Sequence, residues 1–264
     1  MRLTVLGKSP SWQDAGGACS GYLLRDGDTT VLIDCGNGVF SKLREVTDYI
    51  DVDAVVVSHL HADHFLDLVP FSYALTYAPR QQPVAVPPWP GTESPARPRL
   101  IAPPGATEKF RMIARLWGPE NLIVDAFEVE EYDEDAQPRV GPLSFRFCSV
   151  PHFIQTFAIG ARSDNSDRTL VYGADCQPAP ELVEFARGAE LLLIEATLPR
   201  PERDGVRGHL TPGEAGAHAR DAEVSRAVLT HISDELDWTW ARQQAADAFG
   251  GPVEVARQFA TYEL

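Results

Sequence analysis

No run of apolar residues in the 264-residue chain approaches the length needed to cross a bilayer, so a membrane-spanning protein is not expected. Nothing at the start suggests export either: Met1-Arg2 leads straight into strand-like Leu3-Thr4-Val5-Leu6, and the expected location is cytoplasmic. Cysteine is sparse. Cys19, Cys35, Cys148 and Cys176 are scattered in or beside predicted strands without C-x-x-C spacing, which argues for buried, reduced thiols and against a disulfide framework. Positive charge is also short. Twenty-three Lys and Arg stand against 38 Asp and Glu, giving a net charge of −15 and a pI near 4.8. The mean field repels polyanions, so long nucleic acids are disfavoured as partners, whereas small anions remain admissible wherever bound cations supply local positive charge. No internal repeat of fixed period is visible.

The chain does carry a hydrophobic content of 44%, enough for a substantial core, and its length suits one α/β domain over residues 1–264. Its most informative stretch is Val55-Val56-Val57-Ser58-His59-Leu60-His61-Ala62-Asp63-His64. A β-branched run that ends near Ser58 reads as a buried strand, and residues just past a strand end are where a scaffold aims several side chains at one point. Imidazole and carboxylate are preferred ligands of Zn²⁺ and similar ions. The four residues His59, His61, Asp63 and His64 cannot all reach one ion comfortably, so the stretch reads as two half-sites.

The pattern His59-x-His61-x-Asp63-His64 resembles the signature of the metallo-β-lactamase superfamily of binuclear metal hydrolases, and further motifs follow in the order that family requires. Asp34 ends Thr30-Val31-Leu32-Ile33, His152 follows Ser149-Val150-Pro151, Asp175 follows Leu170-Val171-Tyr172-Gly173-Ala174, and His231 follows Ala227-Val228-Leu229-Thr230. The resemblance implies a four-layer αβ/βα sandwich and two divalent metal ions, Zn²⁺ by default with Mn²⁺ or Fe²⁺ also acceptable. It places His59, His61 and His152 on one ion, Asp63, His64 and His231 on the other, and Asp175 between them. Water is then the nucleophile. Asp34 falls outside the ligand set, orienting a ligand or the metal loop through hydrogen bonds.

Glu195-Ala196-Thr197 and the later Gly208-His209-Leu210-Thr211-Pro212-Gly213-Glu214 are similar to a Glu and a His motif of the RNase Z-like and phosphodiesterase branch. The resemblance marks Asp63, Glu195 and His209 for catalysis, His209 lying beside the scissile phosphodiester and assisting the departing oxygen. A carboxylate buried at the end of the strand 191–194 needs a partner, and His209 is the candidate for Glu195. Thr211 and Glu214 have the spacing of a capping box, a role compatible with His209 acting in catalysis. His218, inside the predicted helix 212–221, reads as a solvated face residue.

Elsewhere the sequence predicts strands 3–6, 21–25, 30–33 and 143–150, with an Asp-Gly turn at Asp26-Gly27. A helix is expected over 39–47, and another continues from Phe65 to about Tyr77. Thr107 is expected to cap a helix over 108–116 with Ile113 and Leu116 on its buried face. The acids of 128–137 read as a solvated edge and hairpin, and 253–262 as a closing strand. Two readings stay open for the proline-dense 79–104: a recognition loop over the site, or a partly rigid surface connection. The polar loop 7–17 is likewise either a border of the cleft or a plain connection.

The leading function is a two-zinc phosphodiesterase acting on a small nucleotide-like ester such as a cyclic nucleotide. A tRNA 3′ processing endonuclease shares the motifs, but the resembled nucleases usually carry a long inserted arm, often between the His and Asp corresponding to His152 and Asp175, and here only a hairpin's length of chain separates them. A lactonase, thioesterase or other carbonyl-ester hydrolase would not need the His209 segment. A binding protein without turnover would not need the full ligand set. A homodimer is the assembly typical of the resembled branch.

Overall fold

The protein is described from a computed structural model over residues 1–202 and 207–264. Two seven-stranded sheets face each other. The first contains β1 (Arg2–Gly7), β2 (Gly21–Asp26), β3 (Thr29–Ile33), β4 (Ala54–Val56), β5 (Arg99–Ala102) and β6 (Glu128–Glu131). The second contains β7 (Arg139–Val140), β8 (Leu143–Val150), β9 (Thr156–Ser163), β10 (Thr169–Tyr172), β11 (Leu191–Glu195), β12 (Arg226–Thr230) and β13 (Val253–Val255). The closing β14 (Thr261–Glu263) returns to the first sheet and pairs antiparallel with β1. The predicted closing strand is therefore two short strands in different sheets. Helices α1 (Val39–Val46), α2 (Ala62–Phe65), α3 (Leu68–Tyr77), α4 (Ala106–Arg115) and α5 (Leu122–Ala126) cover the first sheet, and α6 (Pro180–Phe185), α7 (Pro212–Asp221) and α8 (Trp238–Phe249) the second.

Strand alternation creates the layers. In β3, Val31 and Ile33 point into the core between the sheets while Leu32 points at the helices, and in β11 Leu193 and Leu192 divide in the same way. The inter-sheet core is aromatic, with the rings of Tyr132 and Phe147 stacked at 3.6 Å and those of Tyr22 and Tyr172 meeting at 5.0 Å. This is the four-layer αβ/βα sandwich expected from the sequence.

Local expectations need correction in several places. Leu116 lies beyond the last turn of α4 and is 82% exposed, and the buried face is Ala106, Phe110 and Ala114, each four residues apart. Thr107 does not cap that helix. Gly105, at φ 78°, precedes it, and Glu131 on β6 accepts from the Gly105 and Thr107 amides at 2.8 and 2.9 Å, so one acid of the edge serves as an external cap. The helix expected from Phe65 to Tyr77 is broken at Leu66-Asp67, where Asp67 accepts from the Phe40 amide and its own amide is drawn to the Cys35 carbonyl. All four cysteines are free, but Cys148 is only half-buried.

At the end of β2, Asp26 accepts hydrogen bonds from Ser163 and Asn165 at the end of β9, joining the two sheets. The Ser163 bond outweighs burial and holds the carboxyl below its usual 3.8, so its stabilisation is present above that pH and is lost as pH falls through the folded-state value. Asp26→Asn is expected to lower the melting temperature at neutral pH, with the gap to wild type closing as the pH falls below 3.8 and through the folded-state value. Thermal melts across that range check it, and a gap independent of pH would contradict the linkage.

Candidate metal centre

Strands β3, β4, β8, β10, β11 and β12 all end at the same edge of the sandwich: β3 runs parallel to β4, β10, β11 and β12 run parallel to one another, and β8 and β10 both run antiparallel to β9. Just past those ends stand Asp34, His59, His152, Asp175 and His231, and Glu195 is the last residue of β11. Three of the exits turn through left-handed backbone without glycine: Asp34 at φ 55°, Ala174 at 52° and His231 at 49°. Such conformations cost roughly 1–3 kcal/mol each and persist only where the surroundings enforce them, as at functional sites.

The candidate ligand atoms form two abutting clusters. His59, His61, His152 and Asp175 make one, and Asp63, His64, Asp175 and His231 the other. In the first, His61 Nδ1 lies 3.2 Å from His59 Nε2 and 3.1 Å from His152 Nε2. In the second, Asp63 Oδ2 lies 3.1 Å from His231 Nε2 and 3.4 Å from His64 Nε2, and Asp175 Oδ2 lies 3.3 Å from both imidazoles. Asp175 Oδ2 is also 3.9 Å from His59 Nε2 and His152 Nε2, between the clusters. The close spacings suit a shared cation, since ligands about 2.0–2.1 Å from a tetrahedral ion stand roughly 3.3 Å apart. His64 Nε2 and Asp175 Oδ1 are buried without hydrogen-bond partners among the described residues, as atoms reserved for a cation would be. The donor set fits two divalent ions.

The hydrogen bonds behind the ligands fix which nitrogen faces the centre. His64 Nδ1 donates to Asp34 Oδ2 at 2.7 Å, and Asp34 also accepts from the Ser58 amide, the Ser58 hydroxyl and the Tyr172 hydroxyl at 2.7, 2.8 and 3.0 Å. Ser58 in turn accepts from His59 Nδ1 at 3.0 Å. His152 Nδ1 donates to the Gly208 carbonyl at 2.8 Å, and His231 Nδ1 to the Thr197 hydroxyl at 2.8 Å. These partners raise ligand basicity and lock ring orientation. Gly36 lets the Asp34 turn pack against the ligand loop, since a Cβ there would meet the Asp63 carbonyl oxygen at 1.8 Å.

Glu195 is fully buried and accepts from the Cys176 and Leu210 amides, the Thr197 hydroxyl and His209 Nδ1, the last two at 2.7 and 2.9 Å. It thus joins the loop after Asp175, the His231 support and His209. The capping box of Thr211 and Glu214 is present and starts α7 directly after His209.

Burial holds His59, His61 and His152 below the ordinary histidine range, His152 to about 4, and therefore as the neutral imidazoles that ligate metals. At His64 the charges of Asp175 and Asp34 overcome burial and raise the imidazole. The same carboxylates favour any cation at that position. Burial raises Asp63 and Asp175, but the bond from His231 and contact with His64 more than compensate and keep both ionised. Burial lowers His209, yet the Glu195 bond and charge prevail and lift it to about 9, so it is an imidazolium at neutral pH.

His218 is not the solvated residue expected. It is buried, its Nδ1 donates to the Glu214 carbonyl at 2.8 Å, and its Nε2 accepts from the Ala179 amide at 3.0 Å, which ties α7 to the segment after Asp175. The loop 7–17 borders the site: Lys8 Nζ donates to the Ile232 carbonyl at 2.7 Å, next to His231, and also pairs with Asp14. The proline-dense stretch up to Pro98 does not. Arg99 is in register with Ala54, at the start of β4 and therefore opposite to His59, so the chain between α3 and β5 joins the elements at the far end.

Two buried clusters of histidine and carboxylate sharing one aspartate, at the strand ends of an αβ/βα sandwich, define a metal-dependent hydrolase. Residues 29–232 match the family model described as the Beta-lactamase superfamily domain, and the chain belongs to that superfamily. It is 27% identical to the Probable metallo-hydrolase YhfI of Bacillus subtilis with 100% of both chains covered, and the crystal structure of YhfI superposes with a TM-score of 0.82 over 99% of each chain. A ribonuclease Z of Myxococcus xanthus is also 27% identical, over 100% of this chain and 98% of its own. The short form of human tRNase Z shares the fold, with a TM-score of 0.72 at 21% identity, covering 100% of this chain and 99% of that one.

Proposed function

We propose that residues 1–264 form a single cytoplasmic hydrolase unit that cleaves a small nucleotide-type phosphodiester, such as a cyclic nucleotide. In this reading His59, His61, His152 and Asp175 hold one divalent ion, and Asp63, His64, His231 and Asp175 the other. Zn²⁺ is the default for this donor set, and Mn²⁺ or Fe²⁺ would also be accepted. When bound, such a pair supplies water activation and charge stabilisation at the attacked centre. Asp63 orients the attacking water from the ligand loop. Glu195 holds the Nδ1 proton of His209, leaving Nε2, which has no hydrogen-bond partner among the described residues, to protonate the departing oxygen. A homodimer is part of the proposal.

The observation that carries this reading is the Glu195–His209 pair beside the two clusters: a proton donor outside the ligand set serves poor alkoxide leaving groups. A nuclease role on tRNA is the second reading, favoured by the likeness to ribonuclease Z. Against it stand the net charge of −15 and the tight β9–β10 hairpin that occupies the chain between His152 and Asp175. The alignment with the Myxococcus enzyme also runs to 316 positions, more than the 264 of this chain. A turnover screen of metal-loaded protein against cyclic nucleotides, dinucleotides, precursor tRNA, phosphomonoesters, lactones and thioesters decides between the readings. Good turnover of small phosphodiesters is expected. Lactone or thioester hydrolysis with no measurable phosphodiesterase would refute the proposal, and strong preference for precursor tRNA would favour the second reading.

A further inference from the structure

Phe153 follows His152 directly, yet its side chain is 49% exposed at the rim of the centre. Its ring centre lies 4.9 Å from that of His152 and 6.0 Å from that of His209. The ring occupies space that only a glycine at 208 leaves open, since a Cβ on Gly208 would stand 2.0 Å from Phe153 Cε2 and 2.3 Å from Cζ. The Gly208 carbonyl meanwhile receives the His152 Nδ1 proton, so one glycine seats the aromatic ring and orients the neighbouring imidazole. A large apolar side chain is thus positioned by the loop that carries His209, with about half of it left in water.

We propose that Phe153 is a specificity-determining residue, a stacking platform for a planar, nucleobase-like group carried by the departing alcohol. The inference rests on the phosphodiesterase reading and names the side of the substrate that the protein recognises. The leaving oxygen must come within hydrogen-bond reach of His209 Nε2 to take its proton. Whatever is attached to that oxygen then lies beside the Phe153 ring, and an aromatic face favours a planar base over an alkyl group without demanding a particular base. In a cyclic nucleotide the departing oxygen stays tethered through the ribose to its base, so the same platform applies.

The test compares metal-loaded wild type, Phe153→Ala and Phe153→Trp on two diesters that share the adenosine 3′-phosphate. One carries a second adenosine as leaving alcohol, and the other carries methanol. Phe153→Ala is expected to lose roughly 10–100-fold in kcat/KM on the dinucleotide, chiefly through KM, and to stay within about twofold on the methyl ester. Phe153→Trp should match wild type, and elemental analysis should give equal metal content in all three proteins, separating stacking from any disturbance of His152. Equal losses on both diesters, or none on either, would overturn the platform. Binding supplies a readout independent of turnover: wild type should prefer AMP over ribose 5-phosphate, and Phe153→Ala should abolish the preference. If neither diester is cleaved but AMP is still preferred through Phe153, the reaction assignment fails and the platform stands. If wild type shows no such preference, the platform itself fails.

Discussion

Asp175→Ala is expected to abolish measurable turnover and to lose both metal ions together, whereas His231→Ala should keep one. Asp175 is the only residue shared by the two clusters of the proposed ligand set, with one carboxylate oxygen 3.3 Å from His64 and His231 and 3.9 Å from His59 and His152. Removing it deletes a ligand and a negative charge from each side at once. The lost charge stabilisation is worth several kcal/mol, so a fall of roughly 10³-fold or more in kcat/KM should accompany the loss of metal. Elemental analysis after dialysis, with circular dichroism to verify folding, reads the result. An Asp175→Ala protein that retained two ions per chain would show that the clusters do not share this carboxylate.

His209→Ala should behave in the opposite manner: metal content unchanged, catalysis impaired according to the leaving group. General acid assistance is typically worth 10²–10⁴-fold, so a loss of about that size is expected on a cyclic nucleotide or dinucleotide. On a p-nitrophenyl phosphodiester, whose leaving group needs little protonation, the loss should shrink. Equal losses on both would assign His209 to positioning instead. The pH profile provides a second check. Glu195 raises the His209 imidazole to about 9 from an ordinary 6.5, so the ion pair contributes stability below pH 6.5 that disappears as pH rises through 9. The acid form is lost in the same direction, and cations held beside Asp175 draw the basic limb of kcat/KM below pH 9. Glu195→Gln should move that limb to still lower pH.

The fold and the grouping of the candidate ligand residues were legible because His and paired carboxylate motifs are rare and local in this chain. His59, His61, Asp63 and His64 occupy one loop, and His152, Asp175 and His231 each follow an apolar strand, so short windows suffice to find them. The supporting residues were not legible for the opposite reason. Tyr172 reaches Asp34 from the other sheet, and Thr197 reaches His231 from the end of a neighbouring strand. Ser58 stood beside His59 in the sequence, but only the turn at Asp34 reveals what it holds. Helix α8 escaped notice because its buried face is Ala241 and Ala245, small residues that leave little apolar periodicity, although Asp237 caps its first turn. His218 looked solvated because its burial depends on α7 meeting the segment before α6, a contact no short window contains.

The proline-dense connection between α3 and β5 sets where this architecture can tolerate change. Arg80 packs over the Trp89 ring at 4.5 Å, and the Gln82 carbonyl accepts from the Thr92 amide, so the stretch is held largely by its own residues. It anchors at the end of the sheet away from His59, and doubling the length of a flexible loop adds only about 0.6 kcal/mol of closure entropy. An affinity peptide or a fluorescent reporter spliced between Pro88 and Ala96 would therefore hang from the opposite pole of the molecule, leaving the catalytic edge open to substrate while giving the protein a handle for immobilisation.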